Sequence, residues 1–417
     1  GADIRNILEF ENDWQNAKTI ILNQNYRSTN TILQAANAII SSVDKQSKQK
    51  LWSNLGKGTK IKLCKTDNED AEAEYVTKEI QRLINIGNYK PKDIAVFYRM
   101  NSMSRPVEQA LMFQAIPYKV IGGTKFYDRK EIRDIMAYLK IIHNPSDDIS
   151  LLRIINFPTR GLGKTSLDKV IEFARSQSLS IYQALQQIDQ ITTLSPSTMR
   201  KFQDFTQMIS FLQLTASDIL NPKTATDITS FINDVVTKTA LKEHFEFSTD
   251  PQDQVRLENI EAFVNVAKSW KTEEPEPTLE HFLEILALMS DTDDLPDTNQ
   301  TDGFVSLMTL HSAKGLEYPI VFFIGLEDGT IPSSLSMNSQ AELNEERRLA
   351  YVGVTRAKEL LYLSWSTSRL VWGQITSFLP SPYLLDINLE IVTKEEYKNN
   401  KYSYKNNNKP KYKFHKY

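Results

Sequence analysis

At 417 residues, with 41% hydrophobic and 24% charged positions and a net charge of −3, the chain can bury a sizeable core and suggests two or three domains rather than a disordered polymer. No apolar run approaches the ~18 residues of a membrane-spanning helix, and no charged leader precedes an apolar core. The single cysteine, Cys64, excludes an internal disulfide framework and any cysteine-built zinc site, which fits a cytoplasmic protein.

Thr19 to Asn23 is a short β-branched run. Asn30 to Ser42 follows with Ile32, Ala35, Ala36, Ile39 and Ile40 at helical spacing, and Ser28 or Thr29 is expected to cap that helix. Lys60 to Lys65 alternates as a strand does, ahead of an amphipathic helix over Ala71 to Asn85. Ile94 to Tyr98, Arg105 to Ala115 and Pro117 to Ile121 then read as strand, helix and closing strand. This alternation predicts an α/β fold, a mostly parallel sheet with helices on both faces.

From Phe126 to about Trp270 the pattern is helical, over Lys130 to His143, Thr165 to Ser176, Ile181 to Gln187, Ser197 to Leu214, Thr226 to Lys238 and Asp253 to Trp270. A helix around Leu279 to Met289 and an acidic, proline-containing linker come next. Strand pattern returns at Phe304 to Leu310 and in the apolar run Pro319 to Gly325, and a basic helix over Glu345 to Lys358 precedes a strand over Leu360 to Ser364. One domain is thus expected to be split by another. Residues 1–122 and 301–388 form the two segments of the α/β domain, 123–300 the largely helical insert, and 389–417, rich in lysine, tyrosine and asparagine, a flexible tail.

Between the strands near 310 and 320 lies T-L-H-S-A-K-G-L-E, a polar loop at a sheet edge, where α/β sheets bind ligands. Together with E-E-R-R-L-A-Y-V-G-V-T-R-A-K at 345–358 it resembles motifs V and VI of the UvrD/PcrA/Rep helicases of superfamily 1. Leu22 to Thr29 (L-N-Q-N-Y-R-S-T) is similar to motif IV, and Gly1-Ala2 to the residues that follow motif III. Asp93 to Leu111, Gly122 to Tyr138 and Asp147 to Lys164 resemble further blocks of the family, in the family's order. The resemblance implies a second RecA-like domain with its accessory domain inserted. With Gly1-Ala2 matching the residues after motif III and no initiating Met, the resemblance further implies the C-terminal portion of a longer ATP-dependent DNA helicase that moves 3′ to 5′ on single strands.

The resemblance also implies roles. Arg27 and Arg356 would be arginine fingers on the γ-phosphate of ATP, a task suited to a forked, permanently charged donor. Tyr26 would lie against the adenine and Glu317 would accept from the ribose hydroxyls. Thr309, His311 and Ser312 would contact the backbone of single-stranded DNA. Magnesium would arrive with ATP on ligands of the preceding domain, and no metal site is expected in this chain. Single-stranded DNA and single/double-strand junctions are the expected partners, with unidentified repair or transcription proteins besides and no membrane. The loop Gly329 to Ser336 departs from the family, carrying Ser333 and Ser334 where a basic residue often follows the proline.

Arg160 to Thr165 (R-G-L-G-K-T) imitates a phosphate-binding P-loop, but the full pattern needs glycine where Pro158 stands. In the family the corresponding turn opens a helix and presents backbone N–H groups to duplex phosphates, so Gly161, Gly163, Lys164 and Thr165 are expected to touch duplex DNA. Two alternatives remain: the helicase subunit of a helicase-nuclease, and a non-catalytic DNA or protein adaptor.

Overall fold

The computed structural model describes residues 14, 16, 18, 20, 22–41, 50–217, 219, 227–271, 278–291, 302–372 and 374–398. Among them, seven strands form one sheet: β1 Ile61–Thr66, β2 Ile94–Tyr98, β3 Tyr118–Val120, β4 Val305–Thr309, β5 Tyr318–Phe323, β6 Ala357–Ser366 and β9 Val392–Tyr397. Their order is β3-β4-β2-β5-β6-β1-β9, and every pairing is parallel. The α/β class read from the sequence is therefore observed.

Side chains of the central strands alternate between two cores, as the period of two requires. Ala95, Phe97, Val321 and Phe323 face helices α1 (Asn30–Ile40) and α13 (Gln340–Val354). Ile94, Val96, Tyr98, Ile320 and Phe322 face α2 (Glu69–Asn85) and α3 (Ser104–Phe113). Because both faces are covered, these strands read as continuous apolar runs.

Several local expectations shift. Residues 19 and 21 of the Thr19 to Asn23 run lie outside the described residues, and the neighbouring extended pairing is a single bridge from Gln24 to Trp52. Thr29 is the N-cap of α1 but makes no capping bond, and its buried hydroxyl has no partner, while Ser28 Oγ instead donates to the Ala357 carbonyl at 2.6 Å. The basic helix starts earlier and ends earlier than its charges suggest: Ser339 caps α13, which stops at Val354. Strand β6 already begins at Ala357, so Arg356 stands in the tight turn between them.

Between β3 and β4 run α4 Lys130–His143, α5 Asp148–Ile154, α6 Lys164–Gln177, α7 Ile181–Gln186, α8 Pro196–Ser217, α9 Ile228–Lys238, α10 Leu241–Glu246, α11 Pro251–Lys271 and α12 Leu279–Asp291. They enclose their own apolar core, which extends from Phe126 to Leu286 and is distinct from the two that flank the sheet. Arg129 fastens this helical part to the sheet part, donating to Asn259 Oδ1 of α11 at 2.7 Å, to Ser104 Oγ of α3 at 2.9 Å and to the Asn101 carbonyl at 3.1 Å. A hairpin of β7 Ser368–Val371 and β8 Gln374–Ser377 makes a second junction, where Asn265 Nδ2 donates to the Leu370 carbonyl at 2.8 Å and the Trp372 N–H to Glu261 at 3.1 Å.

One boundary is corrected. The segment after residue 388, read from its lysines, tyrosines and asparagines as a flexible tail, contributes β9 to the edge of the sheet, in register with β1 from Ile61↔Val392 to Thr66↔Tyr397. Its charges have partners: Tyr75 donates to Glu395 at 2.7 Å, and Lys62 pairs with the same carboxylate at 3.2 Å. Residues 399–417, the rest of that segment, lie outside the described residues.

Candidate functional site

The loop before α1 is built by Asn25, whose Oδ1 accepts from the backbone N–H of both Arg27 and Ser28 at 2.8 Å, a local turn that an asparagine side chain favours. Ser28 Oγ and the Thr29 N–H then tie the loop to the carbonyls of Ala357 and Lys358 at the start of β6. This seam, between segments more than three hundred positions apart, brings Arg27 beside Arg356.

Arg27 Nε donates to Glu317 Oε2 and its Nη1 to the Thr355 carbonyl at 3.2 Å. Arg356 spreads its fork over the Val352 carbonyl at 3.1 Å, the Leu316 carbonyl at 3.3 Å and Thr355 Oγ1 at 3.4 Å. Glu317 accepts a second cation, Lys358, at 2.8 Å. The Lys358 and Arg27 bonds hold the Glu317 carboxyl below the usual range. Arg356 is lowered, first by desolvation and then by the neighbouring Arg27 charge. Tyr26 next to Arg27 is exposed, with its ring free to receive a flat partner and its hydroxyl donating to Gln24 at 3.1 Å.

Two arginines and Lys358 around one carboxylate leave a net positive, partly exposed cluster in which the two guanidinium groups are forked donors, which suits a polyphosphate. It does not suit magnesium, because the one carboxylate is already paired with two cations. Arg27, Arg356 and Glu317, singled out by motif, thus converge. Lys358 was missed; it sits on the polar face at the start of a strand, where a lysine carries no signal of its own.

A second group lies at the opposite end of the strands. Thr309 closes β4, its hydroxyl 3.1 Å from Ser312 Oγ, and the Ser312 N–H returns to the Thr309 carbonyl at 3.0 Å. Gly122 abuts this turn at φ +75°, where a Cβ would stand 2.8 Å from Ser312 Oγ. His311 is exposed, and partial desolvation followed by the Arg99 charge holds its imidazole below the ordinary range. Arg99 in turn is pinned to the buried Glu346 of α13. The loop 310–317 therefore runs from the C-terminal end of β4 back to the N-terminal end of β5, joining the Thr309 group to Glu317.

The third group, Gly161 to Thr165, is in the helical part. Arg160 is structural there, donating to the carbonyls of Ile154 and Phe157 at 3.0 Å and to Tyr138 at 2.7 Å. Asn156 Oδ1 shapes the turn by accepting from the N–H of Arg160 and of Leu162. Gly163 is the N-cap of α6 with no side-chain cap, so the first N–H groups of the helix face outward beside the exposed Lys164 and Thr165. Lys201, which the sequence does not single out, lies over the turn, 3.3 Å from the Gly161 carbonyl.

The model of the UvrD-like helicase C-terminal domain matches residues 20–368. The chain is 42% identical over 390 residues to the ATP-dependent DNA helicase PcrA of Bacillus subtilis strain 168, 93% of this chain and 52% of that protein. It is 41% identical over 398 residues to PcrA of Leuconostoc citreum, 94% of this chain and 52% of that protein. Against PcrA of Staphylococcus aureus strain MRSA252 it is 41% identical over 391 residues. It spans about half the length of these relatives. With a match over most of its length, and with the motif arginines brought together by the fold, the chain belongs to the UvrD-like helicase C-terminal domain family.

Proposed function

We propose that this chain is the C-terminal part of an ATP-dependent DNA helicase that moves 3′ to 5′, completing an ATP site whose phosphate cradle and magnesium-binding carboxylates belong to a preceding domain. Arg27 and Arg356 act as arginine fingers on the γ-phosphate, Tyr26 stacks on the adenine, and Glu317 accepts from the ribose. Thr309, His311 and Ser312 hold the backbone of single-stranded DNA, and Gly161, Gly163, Lys164 and Thr165 meet the duplex ahead. The two sheet segments, 1–122 and 301–388 extended by β9, make the motor domain, and 123–300 makes the accessory domain. Such a protein works in the cytoplasm, on single-strand/duplex junctions.

The observation that carries the proposal is the convergence of two partly exposed guanidinium groups, Arg27 and Arg356, on Thr355 from segments more than three hundred positions apart. Phosphoryl transfer needs this kind of preorganised positive charge where the γ-phosphate gains negative charge. The relatives named above as ATP-dependent DNA helicases support the same assignment.

The test is ATP turnover by the full-length enzyme with and without single-stranded DNA, together with unwinding of duplexes tailed at either end. Stimulated turnover and unwinding from a 3′ tail are expected. The chain by itself should not hydrolyse ATP. Full-length protein that binds DNA without stimulated hydrolysis would be an adaptor instead.

A further inference from the structure

Two guanidinium groups meet at Thr355, Arg27 on its carbonyl and Arg356 on its hydroxyl. Like charges held this close repel, and a nucleotide-free site needs a counter-charge. Glu317 supplies it, taking Arg27 Nε on one oxygen and Lys358 Nζ on the other. Its side chain is 40% exposed, and ion pairs so exposed are weak and exchange readily. A triphosphate offers Arg27 a more highly charged acceptor with the same forked geometry.

We propose that Glu317 parks Arg27 while the nucleotide site is empty, that Arg27 moves from the carboxylate to the terminal phosphate when nucleotide arrives, and that Lys358 keeps the vacated carboxylate paired. This rests on the assignment of Arg27 to the terminal phosphate given above. Lys358 acts only through Glu317 and is a positioning residue. The loop carrying Arg27 is fixed by Asn25 and by the start of β6, so the exchange needs only side-chain rotation.

Magnesium tripolyphosphate, which has no ribose or base, separates parking from sugar recognition when used as an inhibitor of ATP hydrolysis by the full-length enzyme. Glu317→Gln should tighten its inhibition constant by about two- to fivefold, the range set by a partly exposed ion pair. That gain should vanish when Arg27→Ala is also present. Lys358→Met should weaken inhibition, Lys358→Arg should restore it, and Lys358→Met should have no further effect once Glu317 is glutamine. A gain that persists without Arg27 would reduce Glu317 to a repelling charge. Inhibition unchanged by Glu317→Gln would leave it a ribose contact only. If Arg27→Ala alone altered neither turnover nor inhibition, the phosphate assignment itself would fall, and the parking with it. All three positions are partly or fully exposed, so these substitutions should not unfold the protein.

Discussion

Arg99 and Glu346 lock the end of the sheet to α13: the guanidinium donates Nε to both carboxylate oxygens at 3.2 Å and Nη2 to Oε1 at 2.6 Å. Arg99 follows β2 and adjoins His311, whereas α13 ends two positions before Arg356. One helix thus spans the sheet from the proposed strand-binding end to the nucleotide cluster. Glu346→Ala leaves a largely buried guanidinium unpaired and strips the Ser333 N–H of its acceptor, costing about 3 kcal/mol in denaturant unfolding. In the full-length enzyme, the stimulation of ATP turnover by single-stranded DNA should fall further than basal turnover. A parallel fall in both rates would mean that the pair serves stability alone.

Arg27→Ala and Arg356→Ala should each lower ATP turnover of the full-length enzyme by a factor of about 10³ to 10⁵, the contribution of an arginine finger. Arg356→Lys should not rescue it, because one ammonium cannot reproduce a fork that reaches the Val352 carbonyl, the Leu316 carbonyl and Thr355 Oγ1 together. Affinity for single-stranded DNA without nucleotide should stay near the wild-type value. Near-normal turnover in either variant would make that arginine structural.

The parallel sheet was legible because strands covered on both faces must be apolar throughout, as Ile94 to Tyr98 and Pro319 to Gly325 are. Strand β9 was hidden because its charges are neutralised by tertiary partners, Tyr75 and Lys62, that no local pattern announces. The same holds for Arg99 and Glu346, whose pairing depends on the sheet order. Arg27 and Arg356 were found only through motifs in sequence order, and their meeting at Thr355 depends on the seam between Asn25–Thr29 and β6. The start of β6 was misplaced because Lys358 and Glu359 extend the polar look of α13 past its end at Val354.

Arg369 is buried between Glu327 and Glu72, donating to both at 2.5–2.6 Å. The Glu327 carboxyl is raised above its usual range by burial, against the lowering effect of Arg369. Arg369→Met should destabilise by about 3–5 kcal/mol at pH 7.5, since two buried carboxylates lose their shared cation. In the variant the folded state prefers the Glu327 carboxyl protonated, while the unfolded state ionises it above the ordinary carboxylate range. Folding then takes up protons, and stability rises as the pH falls. The penalty should therefore shrink between pH 7.5 and pH 5 in urea unfolding, and a pH-independent penalty would argue against buried charge as its cause.

Glu261 occupies the junction of α11 with the β7–β8 hairpin, and its pKa is raised to about 7, chiefly by desolvation. The Trp372 N–H and Lys242 act in the opposite direction, and Glu258 adds to the rise. A raised carboxyl favours the folded state while it is protonated, so this stability is present below the unfolded value near 4.5 and is lost as the pH rises through about 7. Glu261→Gln keeps an acceptor for Trp372 without the charge. It should be more stable than wild type by about 1–2 kcal/mol at pH 8, after discounting for partial exposure, with the difference closing by pH 5. A constant difference across that range would show that Glu261 does not titrate there.

The last prediction concerns the turn at the start of α6, where the two glycines are not equivalent. Gly161 has φ +68°, and a Cβ there would stand 2.6 Å from Lys201 Nζ. Gly163 has φ −72° and open space around it, so alanine fits the fold and its methyl group projects into open space. Gly161→Ala should therefore lower stability and displace Lys201, whereas Gly163→Ala should cost no more than about 1 kcal/mol, at the N-cap. If helix N–H groups approach duplex phosphates here, Gly163→Ala should still weaken binding of a tailed duplex to the full-length enzyme, equally for all sequences, because nothing in the turn reads a base edge. Lys164→Ala should lower the slope of log affinity against log salt by about 0.9, the loss of one phosphate contact. Single-strand binding should be spared in both, since that surface is assigned to the sheet. A Gly163→Ala variant with unchanged duplex affinity, together with an unchanged salt slope for Lys164→Ala, would show that this turn only begins a helix.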